Sequence, residues 1–148
     1  PASRFTTEEK FSERYPSNDW VNTVAMDNFG GFGRDGRYNA AAGIKKLKIV
    51  SDYAKKANKL AAFTETGLES IPNTTWWTET LLKAIKAEKM KLSYVLVWRN
   101  DIRSPTHYYA PYPGHPSVPD FLNFYNDPYT LFEKELKKVY KKRFLGIF

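Results

Sequence analysis

The sequence predicts an α/β fold with parallel strands, and three observations carry that prediction. Three short apolar runs are each followed by a helical pattern, so strand and helix alternate along the chain. Each connection is long enough for a right-handed crossover. The last of the runs, LSYVLVW, is almost wholly apolar, as parallel strands covered on both faces are.

Ahead of the three units, residues 6–15 read as a short helix with Thr6 or Thr7 capping and Glu9 in the first turn. The first strand, WVNTVAM over 20–26, runs into the glycine-rich turn DNFGGFG at 27–33. Asn39 then caps a helix over about 40–58, where Ile44, Leu47, Val50, Ala54 and Ala57 form one apolar stripe. The second strand starts at Leu60 and ends at Glu65. After Pro72, the Asn-Thr-Thr at 73–75 offers caps for a helix whose Trp77, Leu81 and Ile85 share a face. The third strand covers 92–98 and is followed by a long loop over 101–119, rich in proline and carrying Tyr108, Tyr109 and Tyr112. Asp127 as N-cap and Pro128 at the first helical position are expected to open the last helix, with Leu131, Phe132, Leu136 and Val139 on its apolar face.

At 148 residues the chain reads as a single unit, 1–148. It is 42% hydrophobic and 26% charged, which excludes a disordered chain, and no apolar run approaches the length of a membrane span. With no cysteine it has neither disulfides nor thiolate chemistry. No His, Asp or Glu group shows metal-ligand spacing, so neither metal nor cofactor is expected. Aromatic residues make up 16% of the chain, which suits a sugar-binding cleft or a nucleic-acid platform. The net charge of +7 favours the second. Most lysines, however, are spaced as on the solvent faces of helices, and only Lys137 to Arg143 form a dense run, at a helix end where cations are favourable. We therefore expect no nucleic acid and no membrane as partner.

In parallel α/β folds, functional groups gather at the carboxyl ends of the strands. All three ends here carry such groups: Asp27 and Asn28, then Glu65, then Trp98, Arg99 and Asn100. Singly, each has a plainer reading. Glu65 could cap a helix or pair with an arginine, Trp98 could fill the core, and Arg99 could pair with Asp101. The loop tyrosines either rim the cleft or pack on proline. Three coincident ends favour a shared cleft.

The segments Phe63-Thr-Glu-Thr-Gly67 and Val95-Leu-Val-Trp-Arg-Asn100, preceded by a strand ending in Asp27, resemble the C-terminal part of glycoside hydrolase family 26, the endo-β-1,4-mannanases. The likeness runs from about Phe5 to about Leu136. It implies three C-terminal βα units, the sixth to eighth, of a (β/α)8 TIM barrel, incomplete without an N-terminal portion. It also implies a retaining glycosidase of β-1,4-mannosidic bonds in mannan, exported to the periplasm, cell surface or medium. Glu65 takes the place of the nucleophile, while Trp98 and Arg99 match residues lining the sugar subsites. Asp27 and Asn28 fall among polar groups at the sixth strand's end, and Asn100 is placed to bond sugar hydroxyls. Phe29 departs from the family, where a tyrosine is expected, and cannot donate a hydrogen bond to the nucleophile.

A retaining enzyme needs a second carboxyl group about 5–5.5 Å from the first. The family carries its acid/base glutamate on the fourth strand, and nothing in this chain matches it. Glu69 and Glu79 read as a loop and an outer-helix residue, and His107 and His115 as solvated loop residues. The expected partner is the N-terminal portion of the same barrel as a separate chain, without which the exposed inner face should cause aggregation. The alternative is a non-catalytic carbohydrate-binding module, which would use the aromatics without Glu65.

Overall fold

The computed structural model describes residues 4–33 and 37–136; the basic run from Lys137 and the expected helical position of Val139 lie outside them. Strands β1 (Thr23–Asp27), β2 (Leu60–Thr66) and β3 (Val95–Val97) form one parallel sheet in chain order. The alternation of strands and helices therefore stands. β1 begins three residues later than predicted, leaving Trp20 84% exposed. β3 is shorter than its apolar run, although Ser93 N–H donates to Ala61 O at 2.7 Å and Trp98 N–H to Thr66 O at 2.9 Å, so contact with β2 continues past both ends.

A short helix α1 (Glu8–Ser12), capped by Thr7 Oγ1, precedes the sheet and places Phe11 against Phe5 and Tyr53. Helix α2 (Ala40–Lys56) starts where the asparagine predicts: Asn39 Oδ1 accepts from Ala42 N–H at 3.0 Å, satisfying one orphan donor of the first turn. Its Leu47, Val50 and Ala54 are buried in the same core as Val24 and Met26 of β1 and Ala61 and Phe63 of β2. Gly43 is in this helix because of a neighbour: a Cβ there would lie 2.6 Å from the Phe32 ring.

The next helix begins as a π-helical turn, Trp77–Leu82, and continues as α3 (Lys83–Lys86). Its N-terminus is not capped by Asn73, Thr74 or Thr75. Asn73 Oδ1 instead accepts from the backbone N–H and hydroxyl of Thr75, a local turn that removes it as a cap. Asp120, 42 residues away, supplies the acceptor: its carboxylate takes the Thr78 N–H at 3.2 Å and the Thr78 hydroxyl. This tertiary cap ties the helix to α4 (Val118–Tyr125).

Helix α4 corrects the predicted position of the last helix, which was placed from Asp127 onward. Pro119 lies in its first turn, and it stops before Asp127. Asp127 Oδ1 accepts from Tyr129 N–H at 2.9 Å and Asp127 O from Thr130 N–H at 2.9 Å, a turn rather than a helix start. Phe132 folds back onto α4, its ring centroid 4.4 Å from Tyr125 and 6.1 Å from Phe124. Aromatic packing therefore competes successfully with the Asp-Pro helix signal, and among the described residues only the 3-10 turn Glu133–Glu135 follows.

Candidate active site

The sheet delivers Glu65 through an irregularity. Val24 pairs with Ala61 and Met26 with Phe63, but the next pair is Asp27 with Glu65, so β2 holds one extra residue, Thr64. The ladder to β3 shifts over the same stretch, from Phe63–Val95 to Thr66–Val97. Simple alternation would turn Glu65 to the face of Phe63, into the core. The bulge instead sets it level with Asp27, on the face away from α2; bulges commonly re-aim a side chain in this way.

Thr64 fixes the arrangement. Its hydroxyl donates to Asp27 Oδ1 at 2.6 Å, and Asn28 N–H donates to Glu65 O at 2.9 Å. The Thr66 hydroxyl, fully buried, bonds Asn28 O at 3.2 Å. The ends of β1 and β2 are thus stitched together around Glu65. The Glu65 carboxylate itself is half-buried and has no hydrogen-bond or ion-pair partner among the described residues. Its two plainer readings, helix cap and arginine partner, do not describe it.

The other strand-end residues divide. Asp27 is half-buried beside Glu65. Asn28 is buried at 3% exposure and turned to the glycine turn, where its Oδ1 accepts from Gly31 N–H at 2.8 Å; its Nδ2 has no partner among the described residues. Trp98 is half-buried and outside the core cluster, two residues beyond Leu96, whose side chain is 41% exposed. Arg99 is exposed, lies 3.3 Å from Asp101 Oδ2, and holds its guanidinium carbon 6.0 Å from the Trp98 ring centroid. Asn100 is occupied elsewhere: its Oδ1 accepts from the backbone N–H groups of Tyr109 and Ala110, both at 2.9 Å, and its Nδ2 donates to Ala110 O at 2.9 Å. It shapes the loop, with its side-chain oxygen doubly committed and one amide N–H bonded.

That loop is more ordered than its proline content predicts. Asp101 takes the Arg103 side chain and backbone N–H, which hold its carboxyl below the usual carboxylate range, with Arg99 adding to the effect. Ser70 N–H donates to Tyr108 O at 2.8 Å, the Ser70 hydroxyl to Thr106 O, and His107 Nδ1 meets Glu69 Oε1 at 2.7 Å. The loop is thereby tied to the segment directly after Glu65. Tyr109, 7% exposed, packs edge-on against Phe29 at 5.7 Å and over Gly67. His115 is not a solvated residue: it is buried, accepts from Ser117 N–H on Nδ1 at 3.1 Å, and so presents Nε2–H to the Tyr108 hydroxyl at 3.2 Å. Tyr109 thus packs on Phe29 and Gly67, while Tyr112 meets Tyr108 and His115 edge-on.

Replacing Asn100 by alanine removes three hydrogen bonds from an exposed loop, where water can replace them in part. We expect a loss of about 1–2 kcal/mol and faster hydrogen exchange at the Tyr109 and Ala110 amides. Unchanged exchange at both would show that the loop holds its shape without Asn100.

Among the described residues no group of three His, Asp or Glu is placed to hold a metal ion, and no helix is long and apolar enough to cross a membrane. A parallel sheet with helices, presenting a carboxylate and an aromatic at its carboxyl edge, is the arrangement of part of a TIM barrel. Three solved structures specify which one. The chain superposes on a GH26 β-mannanase from Bacteroides ovatus with a TM-score of 0.85 and 42% identity, over 97% of this chain and 40% of that one. For GH26C from Muricauda sp. the values are 0.82, 32%, 93% and 37%. For an endo-β-1,4-mannanase double mutant from Cellulomonas fimi they are 0.76, 26%, 91% and 31%. The chain is homologous to the glycoside hydrolase family 26 β-mannanases, and spans two fifths or less of the length of these structures. No family model matches the sequence.

Proposed function

We propose that this chain supplies Glu65 as the nucleophile of a retaining glycoside hydrolase that cleaves β-1,4-mannosidic bonds in mannan-type polysaccharides. The acid/base glutamate comes, on this reading, from barrel units outside these 148 residues. The observation that carries the proposal is the bulge at Thr64, which takes Glu65 out of the core and leaves its carboxylate without a partner among the described residues. A structural carboxylate would be paired; a nucleophile must be accessible and ionised.

The chemistry follows in two steps. A Glu65 oxygen forms a bond to the anomeric carbon while the bond from that carbon to the leaving oxygen breaks, and the acid/base group protonates that oxygen, which departs as a hydroxyl. Water, giving its proton to the same group, then attacks the anomeric carbon and releases Glu65. Trp98 supplies an apolar wall for a pyranose face, and Arg99, held between Asp101 and the Trp98 ring, a directed donor to a sugar hydroxyl. Asp27 and the Thr64 hydroxyl are already bonded to each other, so their contribution is to keep the floor of the cleft rigid.

The test is β-mannan hydrolysis by this chain alone and mixed with a chain carrying the first five barrel units of a homologue. Activity in the mixture only is expected. Activity in neither, with mannan still bound by the isolated chain and by its Glu65→Ala variant alike, would replace the catalytic reading by a carbohydrate-binding one.

A further inference from the structure

A neutral polysaccharide makes no use of a net charge of +7. Part of that charge is gathered in one place. At the amino-terminal ends of β2 and β3, the sheet edge opposite Glu65, lies a depression of about 570 Å³ lined by Lys55, Lys59, Lys89 and Lys91, with Asn58 and Ser93. Its size is within the range of small-ligand sites.

The lysines here differ from those elsewhere on the surface. Lys56 is paired with Glu8, Lys83 with Glu79, Lys86 with Asp127, and Lys48, at the rim, with Asp52. None of Lys55, Lys59, Lys89 and Lys91 has an ion-pair partner among the described residues, and Glu88 is the one other carboxylate lining the depression. Lys55 complements the carboxyl end of α2, Lys59 closes that end through its N–H to Ala54 O at 2.8 Å, and Lys89 ends the 3-10 turn Ala87–Lys89, while Lys91 lies on no helix end. With Lys48 the depression carries five ammonium groups against the carboxylates of Asp52 and Glu88, and such an excess of one sign in a concavity focuses its field and raises the local concentration of counter-ions.

The backbone is also committed to this shape. Asn58, Glu88 and Lys89 take left-handed conformations, with φ of 53°, 55° and 52°. For Glu88 and Lys89, two successive residues without the tolerance of glycine, that conformation is unfavourable. It forms the turn that brings Lys89 and Lys91 to the same depression as Lys55 and Lys59. Like charges assembled through an unfavourable turn are stabilised when an anion sits among them.

We propose that this depression binds an oxyanion, either a free phosphate or sulfate or the same group carried on a saccharide. Four ammonium groups supply charge, and the Asn58 amide and Ser93 hydroxyl supply directed hydrogen bonds. The site is separate from the proposed glycosidic cleft, since Leu60 and Glu65 mark opposite ends of β2, roughly 15 Å apart at strand rise.

The experiment is lysine acetylation of the full chain, read residue by residue by mass spectrometry. Inorganic phosphate and a sulfated disaccharide are compared with sodium chloride at equal ionic strength. Both anions are expected to slow acetylation of Lys55, Lys59, Lys89 and Lys91 by about tenfold at saturation, and to leave exposed Lys45 unchanged. Equal protection by the two anions identifies a free oxyanion as sufficient; protection by the disaccharide at much lower concentration identifies a saccharide-borne group. The double variant Lys89→Glu with Lys91→Glu changes exposed side chains only, so the fold is retained, and it should abolish protection of Lys55 and Lys59. Protection no greater than that given by chloride, or protection that extends equally to Lys45, would overturn the proposal. No activity is needed, so the result stands whether or not Glu65 is a nucleophile.

Discussion

In a barrel reconstituted from this chain and its complement, Glu65→Gln should lower kcat on β-mannan by at least about 10⁴-fold, near 5.5 kcal/mol of transition-state stabilisation. The substitution keeps the shape of the side chain and removes the charge that attacks the anomeric carbon. Because the Glu65 carboxylate makes no hydrogen bond or ion pair among the described residues, the thermal midpoint should not fall with it. That separates loss of chemistry from loss of structure. Azide adds a second readout. In Glu65→Ala, where the shortened side chain leaves room, it can attack the anomeric carbon while the acid/base group still protonates the leaving oxygen. Turnover should then return with a glycosyl azide of inverted configuration as product. If Glu65→Gln retained turnover within tenfold of the parent chain, Glu65 would not be the nucleophile.

The position of Glu65 was legible in the sequence, but not the means by which it is placed. An apolar run ending in Thr-Glu-Thr-Gly marks a strand end, and alternation with helices marks which end matters. Whether a side chain at that end points into the core or into the cleft depends on register, and the extra residue at Thr64 leaves no composition signal. Asn39 was legible as a cap because its acceptor acts three residues away. The cap of the next helix was not, because Asp120 reaches Thr78 across 42 residues, and no local pattern encodes such a contact. The same reason explains the misplaced last helix: Asp127-Pro128 is a good local start signal, overridden by Phe132 packing on Tyr125 and Phe124. Asn28 and Asn100 read as cleft residues from their place at strand ends. In the fold, each directs a carbonyl to backbone N–H groups, in a turn and in a loop, the use that short amides favour near turns.

Gly67→Ala should destabilise the chain by roughly 2–4 kcal/mol, more than loss of the Asn100 contacts, and should also impair the proposed site. Two independent costs add. Gly67 has φ of +144°, a conformation that residues with a Cβ avoid, and the added methyl would lie 2.5 Å from Tyr109 Cδ1. Tyr109 has little room to retreat. Asn100 holds its backbone N–H, Phe29 meets its ring edge-on, His107 packs on it at 5.4 Å, and the side chain is 7% exposed. The strain therefore passes to the segment carrying Glu65, two residues before Gly67, or to the loop anchored at Ser70 and Glu69. Thermal or urea unfolding measures the first effect. The second is read from hydrogen exchange at Trp98, whose N–H bonds Thr66 O, and at Asn28, whose N–H bonds Glu65 O. Both amides should exchange faster in the variant. A second substitution distinguishes clash from backbone strain: Tyr109→Ala in the Gly67→Ala chain removes the ring that the methyl meets, leaving only the φ cost. The double variant should then lose less stability than the two single changes added together, by about 1–3 kcal/mol. Strict additivity would mean that the glycine is required by its backbone alone, and that Tyr109 has no part in holding the Glu65 strand end.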